Sequence, residues 1–108
     1  MKCVMTYYPS EGFLALARQH GDAHRARLQE FHDRGVLLLA GPLDSPPGGE
    51  ALGIFTSREA AEEFVAGDPF VTRGVVARWT LRPFADFFEA APPVTAPPGG
   101  TAGDGTIR

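Results

Sequence analysis

The chain has a single cysteine, Cys3, and so cannot form an internal disulfide. That residue sits in an apolar, strand-like run, where a thiol is expected to be buried and inert rather than nucleophilic. Long apolar runs are also missing. The stretch Val36-Leu37-Leu38-Leu39-Ala40 is far too short to span a bilayer. The N-terminus, MKCVMTYYPS, lacks both the apolar core and the small-residue cleavage site of a secretory signal. Positive charge is scarce: 10 Lys and Arg face 13 Asp and Glu, for a net charge of -3, and the basic residues are scattered. That balance excludes an electrostatic footprint for nucleic acid. The expectation is a soluble cytoplasmic protein with neither membrane nor nucleic-acid partners.

What remains is an ordinary globular composition. The 108 residues are 44% hydrophobic and 21% charged, enough for one domain near the small end for a self-sufficient core. Oligomerisation is a natural supplement to a core of that size. Composition changes at Ala90, and residues 91–108, APPVTAPPGGTAGDGTIR, carry Pro and Gly without periodicity. Residues 1–89 are therefore expected to form the folded domain and 90–108 a flexible tail.

Residues 2–8, KCVMTYY, are β-branched and aromatic and end at Pro9-Ser10, which predicts a first strand. Residues 11–20 read as a short helical or ordered loop segment, interrupted at Gly21-Asp22. Asp22 is then the expected N-cap of a helix over 23–34, closed by Gly35. Val36–Leu43 is a second strand, apolar on both faces and stopped by a turn-rich run. Ala51–Thr56 is a third strand. Ser57 caps a second helix over 58–66, with Ala60, Ala61, Phe64 and Val65 at helical spacing and Gly67 closing it. A turn over Pro69–Arg73 follows. Val75–Phe84 is a fourth strand, with Val75, Ala77, Trp79 and Leu81 on one face and Val76, Arg78, Thr80 and Arg82 on the other. A terminal turn over Phe84–Phe88 ends the pattern.

Strand, helix, strand, strand, helix, strand is the split βαβ order. With right-handed crossovers it gives an α+β, ferredoxin-like fold: an antiparallel four-stranded sheet with two helices on one face. The second strand falls at a sheet edge, and an exposed apolar edge is an aggregation liability. A homodimer whose sheets face each other resolves it.

The histidines, His20, His24 and His32, all fall in the first helical region. His24 shares a helix face with Leu28, Phe31 and Gly35, at the end of the core-facing stripe. Two readings of His24 stand: a half-buried histidine satisfied by a backbone carbonyl, or a general acid/base whose tautomer a carboxylate sets. A metal is not expected, because the Gly21-Asp22 break separates His20 from His24 and no ligand set is completed nearby. The tetrapeptide Gly67-Asp68-Pro69-Phe70 reads locally as a helix stop, an N-cap and a Pro-started turn in which Phe70 packs. Gly41-Pro42 reads as a strand end where backbone can approach a ligand. Arg78 and Arg82 alternate opposite Trp79 and are solvent-facing, or meet an anion if the sheet closes into a dimer interior.

Together these pieces resemble the YCII-related family. The resemblance rests on AHRARLQEFHDRGVLLLAGPL (23–43), SREAAEEFVAGDPFVTRGV (57–75) and TLRPF (80–84), and it covers residues 2–88. It implies a ferredoxin-like subunit in a dimeric α/β barrel and an active site on a histidine–aspartate pair, here His24 and Asp68. It also places Gly41-Pro42 beside that pocket. The candidates for substrate binding are Gly41, Pro42, Phe70 and, from strand alternation rather than the resemblance, Arg78. Family members and relatives with an assigned role act on small ring compounds by elimination or isomerisation without an organic cofactor. One departure concerns the family's R-P-A-H pattern, where this chain reads Gly21-Asp22-Ala23-His24. The basic residue is missing, and an acid able to raise the proton affinity of His24 stands close in sequence. The implied function is a small cofactor-independent lyase or isomerase. The alternatives are a non-catalytic small-ligand or regulatory module and a structural dimerisation domain.

Overall fold

Period-two burial builds the sheet. Cys3, Met5 and Tyr7 are buried while their neighbours are not, which turns one face of the first strand, β1 (Lys2–Pro9), into the core. The structure, a computed structural model, describes residues 1–89; the tail expected over 90–108 lies outside them. The remaining elements are α1 (Phe13–Asp33), β2 (Leu37–Pro42), β3 (Ala51–Phe55), α2 (Arg58–Gly67), α3 (Pro69–Thr72) and β4 (Val76–Phe84). The strands form one antiparallel sheet in the order β2-β3-β1-β4, with β2 at an edge as the sequence predicts. This is the expected ferredoxin-like arrangement.

The core lies between the sheet and the helices. Phe31 of α1, Phe64 of α2 and Phe55 of β3 are each fully buried, with Phe64 edge-on to Phe31 at 5.2 Å and tilted against Phe55 at 5.3 Å. Burial of each such ring contributes about 2–3 kcal/mol. Ala60, Ala61, Phe64 and Val65 form the buried face of α2, and Ser57 accepts from the Ala60 N–H at 3.1 Å, as the spacing predicts.

Three local expectations are corrected. The first helix does not break at Gly21-Asp22 but runs unbroken for 21 residues. An interior glycine costs a helix only about 1 kcal/mol, less than the packing of a continuous helix returns. Asp22 caps nothing; its exposed carboxylate pairs with Arg25 one turn on, at 2.8 Å, so it does not face His24. Gly67 is the last residue of α2, so that helix ends where the sequence predicts. The reason for glycine there is steric: a Cβ would lie 2.7 Å from the Arg27 guanidinium. That group crosses Gly67 to donate to the Glu63 and Phe64 carbonyls at 2.7 and 3.0 Å, tying α1 to the end of α2. In β4, a register shift opposite Tyr8 and Pro9 leaves Ala77 as an extra residue. Val76 therefore pairs with Pro9 and joins the core, instead of sharing a face with Arg78.

The two faces of the sheet differ. Register puts Val4, Thr6, Tyr8, Leu39, Leu52 and Ile54 on the face away from the core, with Arg78, Thr80 and Arg82 beside them. No described helix covers that face. Leu38 and Leu39 of the edge strand are 40% and 56% exposed.

Two glycines behave oppositely on substitution. At Gly35, where φ is +79 and a Cβ would meet nothing, Gly35→Ala should lower stability by about 1 kcal/mol from backbone strain alone. At Gly21, inside α1, a Cβ would touch only the end of Arg25 at 3.4 Å, so Gly21→Ala should raise stability by about 0.5–1 kcal/mol. Urea unfolding of the two variants checks both signs.

Candidate active site

Asp68 stands between two helices, as the residue after α2 and the N-cap of α3. Its carboxylate is fully buried. A buried charge in that position requires donors on every side, and the surrounding elements supply them. From α3, the Phe70 N–H donates to Asp68 Oδ1 at 3.2 Å, which is the predicted cap. From α1, His24 Nδ1 lies 2.8 Å from the same oxygen. From β1, the Tyr7 hydroxyl donates to Oδ2 at 2.6 Å. A single oxygen thus serves both cap and histidine, and the other is taken by tyrosine.

An ionised carboxylate accounts for the donors around it. Asp68 is the sole partner of the Tyr7 hydroxyl among the described hydrogen bonds. With Asp68 ionised, every donor that reaches it is satisfied and no O–H of this pair is left without an acceptor. Nδ1 of His24 must then donate, since two acceptors 2.8 Å apart would repel. Nε2 makes no hydrogen bond among the described residues and is the ring nitrogen left free. In neutral imidazole it carries the lone pair. Phe70 stacks on the ring at 3.7 Å with an interplanar angle of 4°, which closes one face. Phe64 approaches edge-on at 6.4 Å, and the histidine side chain remains 15% exposed. Burial, together with the Asp68 charge, pushes the Tyr7 hydroxyl well above the ordinary tyrosine range. Tyr7 therefore stays a donor across the ordinary pH range.

The structure brings His24, Asp68 and Phe70 together. Gly41 and Pro42 lie at the end of the edge strand. Register sets Pro42, Ala51, Tyr7 and Trp79 in one row across the sheet, with Pro42 two strand spacings, about 10 Å, from Tyr7. Arg78 lies on the opposite face of the sheet from Tyr7, with its guanidinium 3.8 Å from the Tyr8 ring centroid. A surface groove of about 400 Å³ runs between α1 and β2, lined by Leu28, His32 and Leu37–Ala40 among others, and does not reach His24 or Asp68. Because α1 is continuous, His20 and His24 do share a helical face. Even so, no cluster of three potential metal ligands occurs among the described residues.

Tyr7 is the residue that sequence reasoning missed. Alternation alone puts it on the inward face with Cys3 and Met5. A hydroxyl on that face has to find a buried partner, and that signal was available.

Residues 1–85 match the YCII-related domain family. The protein YciI of Escherichia coli O6:H1 (strain CFT073) is 41% identical over 76 residues, covering 61% of this chain and 78% of that protein. YciI of Shigella flexneri matches to the same extent. Among solved structures, the 5-chloro-2-hydroxyhydroquinone dehydrochlorinase TftG of Burkholderia phenoliruptrix AC1100, in complex with 2,5-dihydroxybenzoquinone, shares the fold. Its TM-score is 0.66 at 20% identity, over 79% of this chain and 94% of that one.

Removing the carboxylate should be costly. Asp68→Ala strands the Tyr7 hydroxyl and the Phe70 N–H and should lose about 2–4 kcal/mol; Asp68→Asn, which keeps an acceptor for the cap, should lose about half of that in thermal or urea unfolding. Alkaline pH provides a second handle. The folded state holds the Tyr7 proton above the unfolded value of about 10, so its share of stability is complete below pH 10 and falls above it. The limiting slope for one proton is about 1.4 kcal/mol per pH unit. Tyr7→Phe should remove that part of the slope when stability is measured from pH 9 to pH 11.

Proposed function

The chain belongs to the YCII-related domain family, and we propose that it is a small cofactor-independent enzyme that moves a proton on a small, ring-shaped substrate, as a lyase or isomerase. The observation that carries this reading is the fully buried Asp68 carboxylate bonded to a histidine whose other nitrogen is unengaged among the described residues. Such an arrangement costs stability and returns a base with a fixed tautomer. His24 Nε2 takes a proton from a carbon or hydroxyl of the substrate. The electron pair left behind forms a new double bond; in an elimination the leaving group departs with the pair of its broken bond, and in an isomerisation the pair of the displaced double bond takes the proton back from His24 Nε2 at its far atom. Asp68 orients the ring and stabilises the imidazolium. With one ring face closed by Phe70, the substrate has to meet Nε2 at the imidazole edge.

The elimination arm of the proposal draws on the likeness to TftG, a dehydrochlorinase solved with a quinone ligand. The assembly is proposed to be a homodimer with the core-distal sheet faces together, forming the α/β barrel. Two features support it: the apolar, helix-free face around Val4, Leu52 and Ile54, and the exposed Leu38 and Leu39 at its edge. In that dimer Arg78 meets an anionic group between the sheets. Gly41 and Pro42 are proposed to form the rim of that pocket.

Turnover of hydroxylated and halogenated hydroquinones and of small enolisable ring compounds tests the chemistry. His24→Ala should lower kcat by at least about 100-fold and Asp68→Asn by about 10-fold or more. Wild-type turnover that survives His24→Ala overturns the assignment. Ligand-induced stabilisation unaffected by His24→Ala, with no turnover, points instead to a non-catalytic binding module. Sedimentation equilibrium should give a dimer mass, and Ile54→Lys on the proposed interface should shift it toward monomer.

A further inference from the structure

We infer that Tyr7 is the positioning residue of the His24–Asp68 pair: its donation to Asp68 Oδ2 commits the carboxylate to accepting and so holds His24 as the Nδ1–H tautomer. Nothing in the motifs that carry the family likeness includes this residue. It comes from β1, whereas the histidine and aspartate come from α1 and the α2–α3 junction.

Each oxygen of Asp68 has a separate duty. Oδ1 receives the Phe70 N–H and His24 Nδ1, at 3.2 and 2.8 Å, and Oδ2 receives only the Tyr7 hydroxyl, at 2.6 Å. Tyr7 is 2% exposed and Asp68 fully buried, so water does not substitute readily for either partner. Without the hydroxyl, Oδ2 is a buried anionic oxygen with no donor. It relieves that by taking up a proton or by turning about Cβ–Cγ toward one of the donors already on Oδ1. Both changes weaken the grip on His24 Nδ1–H, and the ring is then free to populate its other tautomer, in which Nε2 carries the proton and is no base. Arg27 is a cation whose charge reaches Tyr7, but its guanidinium is engaged by the Glu63 and Phe64 carbonyls and does not replace the tyrosine. Because Tyr7 is held protonated across the ordinary pH range, its donation does not switch. The inference rests on His24 as the proton-transferring group for its purpose, whereas its test reads the ring itself and needs no substrate.

The test is long-range proton–nitrogen correlation NMR of the histidine rings in the full chain at pH about 8.5, above the ordinary histidine range near 6.5, with His24 assigned through His24→Gln. Wild type should show Nδ1 protonated and Nε2 bare. In Tyr7→Phe the two His24 nitrogen shifts should move toward each other while those of His20 and His32 stay in place. A folded Tyr7→Phe protein with the wild-type His24 pattern overturns the inference and leaves Tyr7 a packing residue. If Tyr7→Phe does not fold, the wild-type hydroxyl decides. It should give its own slowly exchanging proton resonance, and exchange as fast as that of an exposed tyrosine overturns the inference equally. Tautomer mixing in a protein that shows no turnover would sustain the role of Tyr7 and remove the catalytic reading, so the two failures are separable.

Discussion

A carboxylate with no exposure to water is the constraint around which this small domain is arranged. The desolvation of one ionised Asp is worth several kcal/mol, comparable to the net stability of a domain this size. It is tolerated only because β1, α1 and α3 each deliver a donor to it. Those three elements are distant in sequence, so the carboxylate acts as a checkpoint on tertiary structure. Tyr7 must face inward, α1 must run at the right height and α2 must end one residue before Asp68. The Arg27 guanidinium and the bare Gly67 it crosses set that last condition, fastening the end of α2 to α1.

The same arrangement gives His24 a direction. One nitrogen is spent on Asp68 and one ring face on Phe70, so only Nε2 is left free, and it is approached from a single side. The parallel stack at 3.7 Å also resists tilting of the ring, which would cost contact with Phe70 before it broke the Asp68 bond. For a proposed acid/base this is preorganisation: the imidazolium formed after proton uptake finds its counter-charge already in place.

Much of this was legible in the sequence. Strand alternation, the Ser57 cap, the left-handed Gly35 and the Pro-started turn after Asp68 are local signals, and each gives its element within a residue or two. The pairing of His24 with Asp68 was legible only through the family likeness, because 44 residues separate them and no local rule joins them. What was misread was decided by tertiary contacts. Gly21-Asp22 looks like a break because glycine and a capping residue stand together, yet α1 has too much to pack against to stop there. Val76 looks like a partner of Arg78 until an extra residue in β4 turns it inward. Sharing of one Asp68 oxygen by cap and histidine follows from Tyr7 claiming the other, and a lone hydroxyl on an apolar strand face was the clue to it.

The sheet then explains why site and assembly belong together. Its core side carries the tyrosine that fixes Asp68, and its other side carries apolar residues that no described helix covers. A residue register links the two: Thr6 and Tyr7 are neighbours on β1 that point to opposite faces, so a shift of one position would expose Tyr7 and bury its neighbour. Any second copy that packs on the open face holds that register from behind. The proposed dimer would therefore do more than cover apolar surface; it would stiffen the strand on which the hydroxyl, and through it the histidine tautomer, depends.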